Sequence, residues 1–436
     1  MLIEAPHFPL AKAAFAAALR SGHGRAVQQL EKYGAQGLDE TIIEACITSL
    51  SYDPQCEAPR APWLFSVVDH AHLNKEVAQA IRESAHAPSL ENERDLDQRC
   101  AILKELAASG LDDARHLLYS SLARVPDSST VIGDYHIVAL DGVDGLIQVA
   151  RQLGRWLRDD PDFWIDDGLC ELCGESALIA LEQEAAANPD IAAYLAEVRK
   201  IRASRIAPAK RFGRMAYTGS QIVAYATESP GDQCHWFRQW GSQATNEQME
   251  VVFSALLATE KPEHAKRLFR CFAKTGVPRF ERQLLQWISD PDEDLQWIAI
   301  RAMVPITHKE LRIVARKLIM TGNIANGFAL LANNFSDGDF AMCVKRLTRF
   351  EDADETHHLV GHILDLCQAH PGAEALDCLL YVYEYSPCST CRKQAVKAMT
   401  QSATTPHWVL EEAIFDAEPE TRELAREARH SSQWTP

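Results

Sequence analysis

The sequence predicts an all-α protein, and three observations support this fold class. Apolar side chains recur every three or four residues through most of the 436-residue chain, which is the period of an amphipathic helix. Short polar stretches rich in Gly, Pro, Asp and Ser separate these segments, as expected of connections between antiparallel helices. Alternating β-branched segments are nearly absent, so a fold built on a sheet is disfavoured.

The predicted helices follow one another along the whole chain. They are the segments at 10–20, 41–50, 102–110, 145–157, 247–258, 264–276, 295–304, 311–322, 357–367, 373–385 and 392–399. The best strand candidate is Tyr135–Leu140, although it precedes a glycine and a long helical pattern. Successive helices without a sheet leave two architectures, a compact helical bundle or a stack of helix pairs.

Three helices near the C-terminus share one spacing. Each follows a candidate capping residue, which is Asp290, Ser386 or Asp416, and Asp290 with Glu293 has the spacing of a capping box. Two alanines then fall three residues apart on one face of each helix. The alanine pairs are Ala299 and Ala302, Ala395 and Ala398, and Ala425 and Ala428. Separations of 96 and 30 residues fit a repeating unit of roughly 30–32 residues.

This pattern resembles the second helix of a HEAT-type repeat, the two-helix unit of many α-solenoids. Arg392 and Arg422 stand where such repeats keep an arginine that pairs with a neighbouring repeat, whereas Gln296 departs from the pattern. The resemblance is clearest over about residues 290–436. It implies a right-handed HEAT- or armadillo-like α-solenoid of antiparallel helix pairs, in which stacked units bury each other's apolar faces. We therefore predict an N-terminal helical region over 1–215, with or without divergent repeats, and a HEAT-like repeat region over 216–436.

Charge is distributed unevenly along the chain. Residues 1–197 hold 15 basic and 32 acidic side chains, residues 198–317 hold 20 and 12, and residues 318–436 hold 9 and 17. A basic middle is thus flanked by acidic ends. Its two densest clusters lie at 199–214 and 261–282, and aromatic residues accompany both.

Two interpretations of the basic middle remain open. In the first, the basic middle forms a surface that binds a protein or nucleic acid. In the second, its charges balance those of acidic neighbours within the molecule. The predicted function is that of a non-enzymatic HEAT-like repeat scaffold that binds a protein partner through its concave face. An acidic protein segment is a candidate for this partner. The alternative is a nucleic-acid-binding or DNA-glycosylase-like HEAT protein, although the pI of about 5.4 argues against a dedicated nucleic-acid binder. The predicted partner-binding residues are Arg205, Lys210, Arg211, Arg214, Trp236, Trp240, Lys266 and Arg270.

The cysteine and histidine motifs of the chain are candidates for metal or redox sites. Cys170 and Cys173 form one CxxC pair, and Cys388 and Cys391 form another at a predicted helix start. More than 210 residues separate the two pairs, which is unlike the spacing of common zinc sites. His358 and His362 share one helix face but lack the Glu of an HExxH motif. No metal, cofactor or catalytic residue is therefore predicted.

Acidic residues beside tryptophan are the remaining candidates for chemistry. Trp164 precedes Asp166 and Asp167, and Asp294 lies between Trp287 and Trp297. We interpret these acids as residues of helix edges, where the helix dipole favours negative charge. No apolar run approaches the ~18–20 residues of a membrane span, and the N-terminus lacks a secretory pattern. The sequence predicts no membrane partner and a cytoplasmic location.

Overall fold

The fold is known from a computed structural model that describes residues 3–84, 87–160, 162–205, 216–229 and 233–432. These residues form 25 α-helices and one two-stranded antiparallel hairpin, which confirms the predicted all-α class. Among the helices described, none is long and apolar enough to cross a membrane.

The first half of the chain contains eleven helices and the hairpin. In chain order the elements are α1 (Lys12–Ser21), α2 (Arg25–Tyr33), α3 (Asp39–Ile47), α4 (Ala61–Ala71), α5 (Asn74–Glu83), α6 (Glu93–Ala108), α7 (Asp112–Ser120), β1 (Ala123–Arg124), β2 (Val131–Ile132), α8 (Asp134–Asp159), α9 (Gly168–Cys173), α10 (Glu175–Ala185) and α11 (Pro189–Arg205).

The second half contains fourteen more helices within the described ranges. They are α12 (Gly219–Glu228), α13 (Phe237–Gly241), α14 (Asn246–Ala258), α15 (Pro262–Phe269), α16 (Leu285–Ile288), α17 (Glu293–Met303), α18 (Lys309–Thr321), α19 (Ile324–Leu331), α20 (Asp339–Val344), α21 (Ala353–Ala369), α22 (Leu376–Tyr385), α23 (Ser389–Gln401), α24 (His407–Ala413) and α25 (Pro419–Ser432).

Two compact units contain these elements. The N-terminal unit comprises residues 5–205 together with a segment from near the other end of the chain, Leu410–Arg426, which we call the returning segment. The central unit is built on residues 216–409. The predicted division at 215/216 did not anticipate that Leu410–Arg426 belongs with the N-terminal helices.

The returning segment is bound tightly within the N-terminal unit. The Trp63 indole donates a 2.8 Å hydrogen bond to the Phe415 carbonyl, and the Ala417 amide donates one of 2.9 Å to Gly22. A Cβ atom on Gly24 would lie 2.0 Å from the Glu412 carbonyl oxygen, so only glycine permits this approach. Glu412 itself is 1% exposed and contacts the side chains of His23 and Arg25.

In the central unit, the longer helices pack against helices that lie one or two places away in chain order. Contacts join α14 to α15, α15 to α17, α17 to α19, α19 to α21 and α21 to α23, with α18 against α19 and α22 against both α21 and α23. Ala299 of α17 and Ala395 of α23 are fully buried. Of the other alanines in the sequence pattern, Ala302 and Ala425 are also buried, whereas Ala398 and Ala428 are half-buried.

Several local predictions need correction. Tyr135–Leu140 is helical and belongs to α8, which is kinked at Gly142 (φ 57°, ψ −129°). The cap of α17 is Asp292, whose carboxylate accepts hydrogen bonds from the amides of Asp294 and Leu295, rather than Asp290. Cys388, rather than Ser386, is the residue before α23. The change from Asp290 to Asp292 reflects which carboxylate reaches the free backbone amides, which spacing alone does not determine.

Candidate functional site

The structure places the predicted partner-binding cations among acidic side chains. Arg205, the last residue of α11, lies 2.6 Å from the carboxylate of Asp167 and 2.7 Å from that of Glu171. Lys266 lies 3.0 Å from Asp292 and 2.9 Å from Asp294. These cations are already neutralised within their own units, which favours the charge-balance interpretation over an open basic surface.

The other predicted contact residues are largely buried or lie outside the described ranges. Arg270 is 8% exposed and its guanidinium contacts the His235 ring. Trp240 is 1% exposed and its indole donates a 2.8 Å hydrogen bond to the Tyr217 carbonyl. Trp236 is half-buried and packs edge-on against Tyr217. Lys210, Arg211 and Arg214 lie outside the described residues, and binding through the whole set stays a prediction.

A cleft in the N-terminal unit is the better-formed candidate site. It has a volume of about 440 Å³ and lies between the β1–β2 hairpin, α8 and the segment before α9. It is lined by residues 128–131, by Asp134, Tyr135 and Leu153, and by residues 164–166 and Leu169. A concave surface with apolar walls and a few converging polar groups is the usual form of a ligand site.

The inner wall of the cleft carries a buried carboxyl group. Asp134 begins α8, is 8% exposed and accepts a 2.8 Å hydrogen bond from the Tyr135 amide. Burial raises its pKa to about 6, against the opposing effects of that amide and of His136. The nearby negative charge of Asp166 adds to the increase. Among the described residues no cation is hydrogen-bonded to Asp134, so burial has the largest effect on its pKa.

The rim of the cleft combines an exposed carboxylate with two aromatic rings. The Tyr135 hydroxyl donates a 3.2 Å hydrogen bond to Asp166, and the Gly168 amide donates one of 2.8 Å to the same oxygen. Burial, followed by the charge of Asp166, raises the pKa of Tyr135 to about 12, so the hydroxyl stays protonated. Trp164 is 64% exposed, which is unusual for the largest apolar side chain.

The charge of this cleft is not balanced by its own lining. No lysine, arginine or histidine is among the described residues that line it. The nearby arginines form their ion pairs outside the cleft: Arg124 lies 2.7 Å from Asp160, and Arg205 is bound to Asp167 and Glu171, although Arg205 also interacts electrostatically with Asp166. The cleft therefore presents two carboxyl groups and an open indole face to an incoming group.

Part of this site is visible in the sequence, where Trp164 stands beside Asp166. Those acids, like Asp294 of the trio with Trp287 and Trp297, are interpreted in the sequence as residues of helix edges rather than as a site. In the structure Trp287 is 4% exposed and Asp294 binds Lys266, so that trio does not form a site. Asp134 and Tyr135 were missed because residues 135–140 were read as a strand. A glycine before an acidic residue and an apolar-periodic run was the available signal for a helix start.

Three potential metal ligands converge in the central unit. One ligand atom each from His357, Cys388 and Cys391 lies within 4.8 Å of the other two. The histidine predicted as a candidate, His358, is instead edge-on to His362, with ring centroids 4.8 Å apart. Cys170 belongs to the N-terminal unit, where it contacts the Tyr194 hydroxyl at 3.6 Å. The two CxxC pairs thus have separate environments.

Comparison with known proteins adds no family to these observations. The chain matches no protein-family model and no curated protein. The geometry of the cleft and of the cysteine–histidine cluster is therefore the basis for inferring function.

Proposed function

We propose that the protein is a non-enzymatic helical-repeat scaffold that binds a cationic segment of a protein partner. The central unit would be the repeat part, a right-handed HEAT-like solenoid of helix pairs. The serial packing of α14, α15, α17, α19, α21 and α23 supports this, because repeat proteins make their main contacts between neighbouring units. The burial of Ala299 and Ala395 supports the resemblance to HEAT repeats.

The single observation that carries the binding proposal is that acidic but no basic side chains line the cleft in the N-terminal unit, among the residues that the structure describes. Asp134 and Asp166 line it, no basic side chain does so among the described residues, and Trp164 leaves an exposed ring on the rim. A lysine or arginine side chain satisfies all three features. Its charge attracts the carboxylates, and its head group stacks on the indole, a contact worth roughly 0.5–2 kcal/mol.

Arginine suits this cleft better than lysine. Its planar guanidinium offers five donors and stacks on aromatic faces while it pairs with a carboxylate. The Tyr135 hydroxyl fixes the Asp166 carboxylate in place, which reduces the entropy lost on forming the pair. The apolar stem of the ligand would lie against Leu153 and Leu169, which also line the cleft.

Charge favours a protein partner over nucleic acid at this site. Residues 1–197 hold 32 acidic and 15 basic side chains, and such an excess repels phosphate groups while attracting basic peptides. The alternative, nucleic-acid binding through the basic middle, depends on cations that include Arg205 and Lys266, which are paired with carboxylates. We therefore place the partner at the acidic cleft.

A peptide titration with charge-matched variants tests this proposal. The probe is a fluorescein-labelled peptide of eight arginines, and its binding is followed by fluorescence anisotropy. Asp166→Asn keeps the hydrogen-bond acceptor for Tyr135 and Gly168 but removes the charge. Trp164→Ala removes the stacking surface. We expect each variant to bind the peptide about tenfold more weakly than the wild type.

Two matched controls separate the cleft from the overall charge. Asp162→Asn removes one exposed acid of the same unit that does not line the cleft, and Trp297→Ala removes a partly exposed tryptophan of the central unit. Both should bind the peptide as the wild type does. If Asp166→Asn and Asp162→Asn weaken binding equally, the attraction is non-specific and the proposal fails.

A further inference from the structure

The cysteine–histidine cluster of the central unit is independent of the cleft. His357 lies in the second turn of α21, Cys388 immediately precedes α23, and Cys391 lies in the first turn of α23. Helix α21 packs directly against α23. The packing of these helices therefore brings the imidazole to the CxxC pair, although the residues are more than thirty positions apart in sequence.

We propose that His357, Cys388 and Cys391 bind a zinc ion. Two thiolates and an imidazole are ligands that zinc prefers, and hard cations such as magnesium and calcium favour oxygen ligands instead. Around a tetrahedral zinc ion, sulfur and nitrogen ligands lie about 3.5–3.8 Å apart. The ligand atoms of the cluster are within 4.8 Å of one another, so small side-chain rotations bring them to the metal.

The surroundings of the cluster suit a buried metal complex. Cys388 is 2% exposed and Cys391 is 9% exposed. Two thiolates with Zn²⁺ and a neutral imidazole carry no net charge, so this complex can be buried without the large cost of an isolated ion. Binding releases the two thiol protons.

The backbone before α23 is already held in one conformation. The Ser386 hydroxyl donates a 2.9 Å hydrogen bond to the Cys388 carbonyl and accepts one of 3.2 Å from the Cys388 amide. Ser386 is 1% exposed, so these bonds are shielded from water. This turn fixes the direction of Cys388 before any metal binds, which lowers the entropic cost of forming the site.

The zinc ion would act as a structural clamp. It would join α21 to the start of α23 across the intervening α22, and the stability that it adds would depend on metal concentration. The three ligands leave a fourth tetrahedral position, which a water molecule or a further side chain would occupy. The burial of both sulfur atoms argues against a substrate-binding role for the metal.

Metal analysis of the purified full-length chain tests the proposal. The zinc content is measured by inductively coupled plasma mass spectrometry, and a metal-free sample is titrated with Co²⁺. We expect about one zinc per chain, and we expect Co²⁺ to give the thiolate charge-transfer and intense visible bands of tetrahedral sulfur coordination. Cys391→Ser and His357→Ala should weaken zinc binding at least tenfold.

The sequence offers closely matched controls for both ligand types. His358→Ala removes the adjacent histidine, and Cys173→Ser alters the other CxxC pair, which lies in the N-terminal unit. Both should keep the metal and the Co²⁺ spectrum. Wild-type protein with no stoichiometric zinc and, under reducing conditions, no tetrahedral Co²⁺ bands would overturn the proposal, as would a Cys388–Cys391 disulfide that persists in the purified protein in the presence of a thiol reductant. Because the wild-type titration decides the question, a variant that fails to fold does not leave it open.

Discussion

The N-terminal unit buries two carboxyl groups in opposite ways. Glu412, on the returning segment, is 1% exposed and lies 2.8 Å from the His23 ring and 2.9 Å from Arg25. Asp134, in the cleft, is 8% exposed and accepts a hydrogen bond from a backbone amide, with another carboxylate nearby. The first group contacts two basic side chains, whereas at the second the electrostatic effect of His136 is smaller than the effect of burial.

This difference has opposite effects on the two pKa values. Burial alone raises the pKa of both groups. At Glu412 the charges and hydrogen bonds of Arg25 and His23 outweigh burial and hold the pKa at about 2. At Asp134 burial dominates and the pKa rises to about 6. Strongly perturbed acids in clefts occur preferentially at functional sites, which supports the proposal that the cleft binds a cation.

The largest expected effect comes from making the same chemical change at both sites. Glu412→Gln should destabilise the protein by about 3 kcal/mol at pH 7, because it leaves Arg25 and His23 buried without their anion. Asp134→Asn should stabilise it by about 1–2 kcal/mol, because the cost of burying a charged group disappears. Urea unfolding followed by circular dichroism gives both values.

Matched exposed acids provide the controls for this pair. Glu423→Gln, on α25, and Asp162→Asn should each change the free energy of unfolding by less than about 0.5 kcal/mol.

The two buried sites also differ in their response to pH. The stability that Glu412 contributes is complete above 4.5 and is lost as the pH falls towards 2, whereas the cost of Asp134 is relieved as the pH falls from above 6 towards 3.8. A change of the same sign in the free energy of unfolding of Glu412→Gln and Asp134→Asn would contradict the proposed difference between the two sites.

A smaller effect is expected on peptide binding as the pH changes. Asp134 is ionised above a pH of about 6, so the eight-arginine peptide should bind roughly three- to tenfold more tightly at pH 7.5 than at pH 5. The titratable groups that interact with Asp134 include Asp166, His136, Cys100, Tyr135 and Tyr194. Asp134→Asn retains all of them, so a pH dependence that persists in this variant would assign the titration to another group.

The helices could be predicted from the sequence because their signals are local. Each of the eleven apolar-periodic segments contains helix, although the one at 41–50 runs past the end of α3 at Ile47 and the one at 264–276 leaves the α-helix at Phe269 for a 3-10 turn. Apolar side chains that recur every three or four residues mark the face that each helix buries, whatever its partner. Helix ends were less accurate, because Asp290 and Asp292 offer similar caps and the fold selects one.

The candidate sites could not be predicted in the same way, because their residues are distant in sequence. Glu412 meets His23 across 389 positions, and His357 meets Cys388 only because α21 packs against α23. The neutralisation of Arg205 and Lys266 likewise depends on contacts between separate helices. Composition revealed that the middle of the chain is basic, but only the packing shows which charges remain unbalanced.

The most direct test of the central claim is the titration of the Asp134 carboxyl group itself. Carbon-13 NMR of protein labelled at the aspartate carboxyl carbon gives the pKa of each resolved aspartate, and Asp134→Asn assigns the signal. We predict a pKa near 6 in the free protein that falls by one unit or more when the eight-arginine peptide is bound, because a neighbouring cation favours the ionised form. A pKa near the ordinary value of about 4 in the free protein, or a raised value that the peptide does not change, would contradict the account.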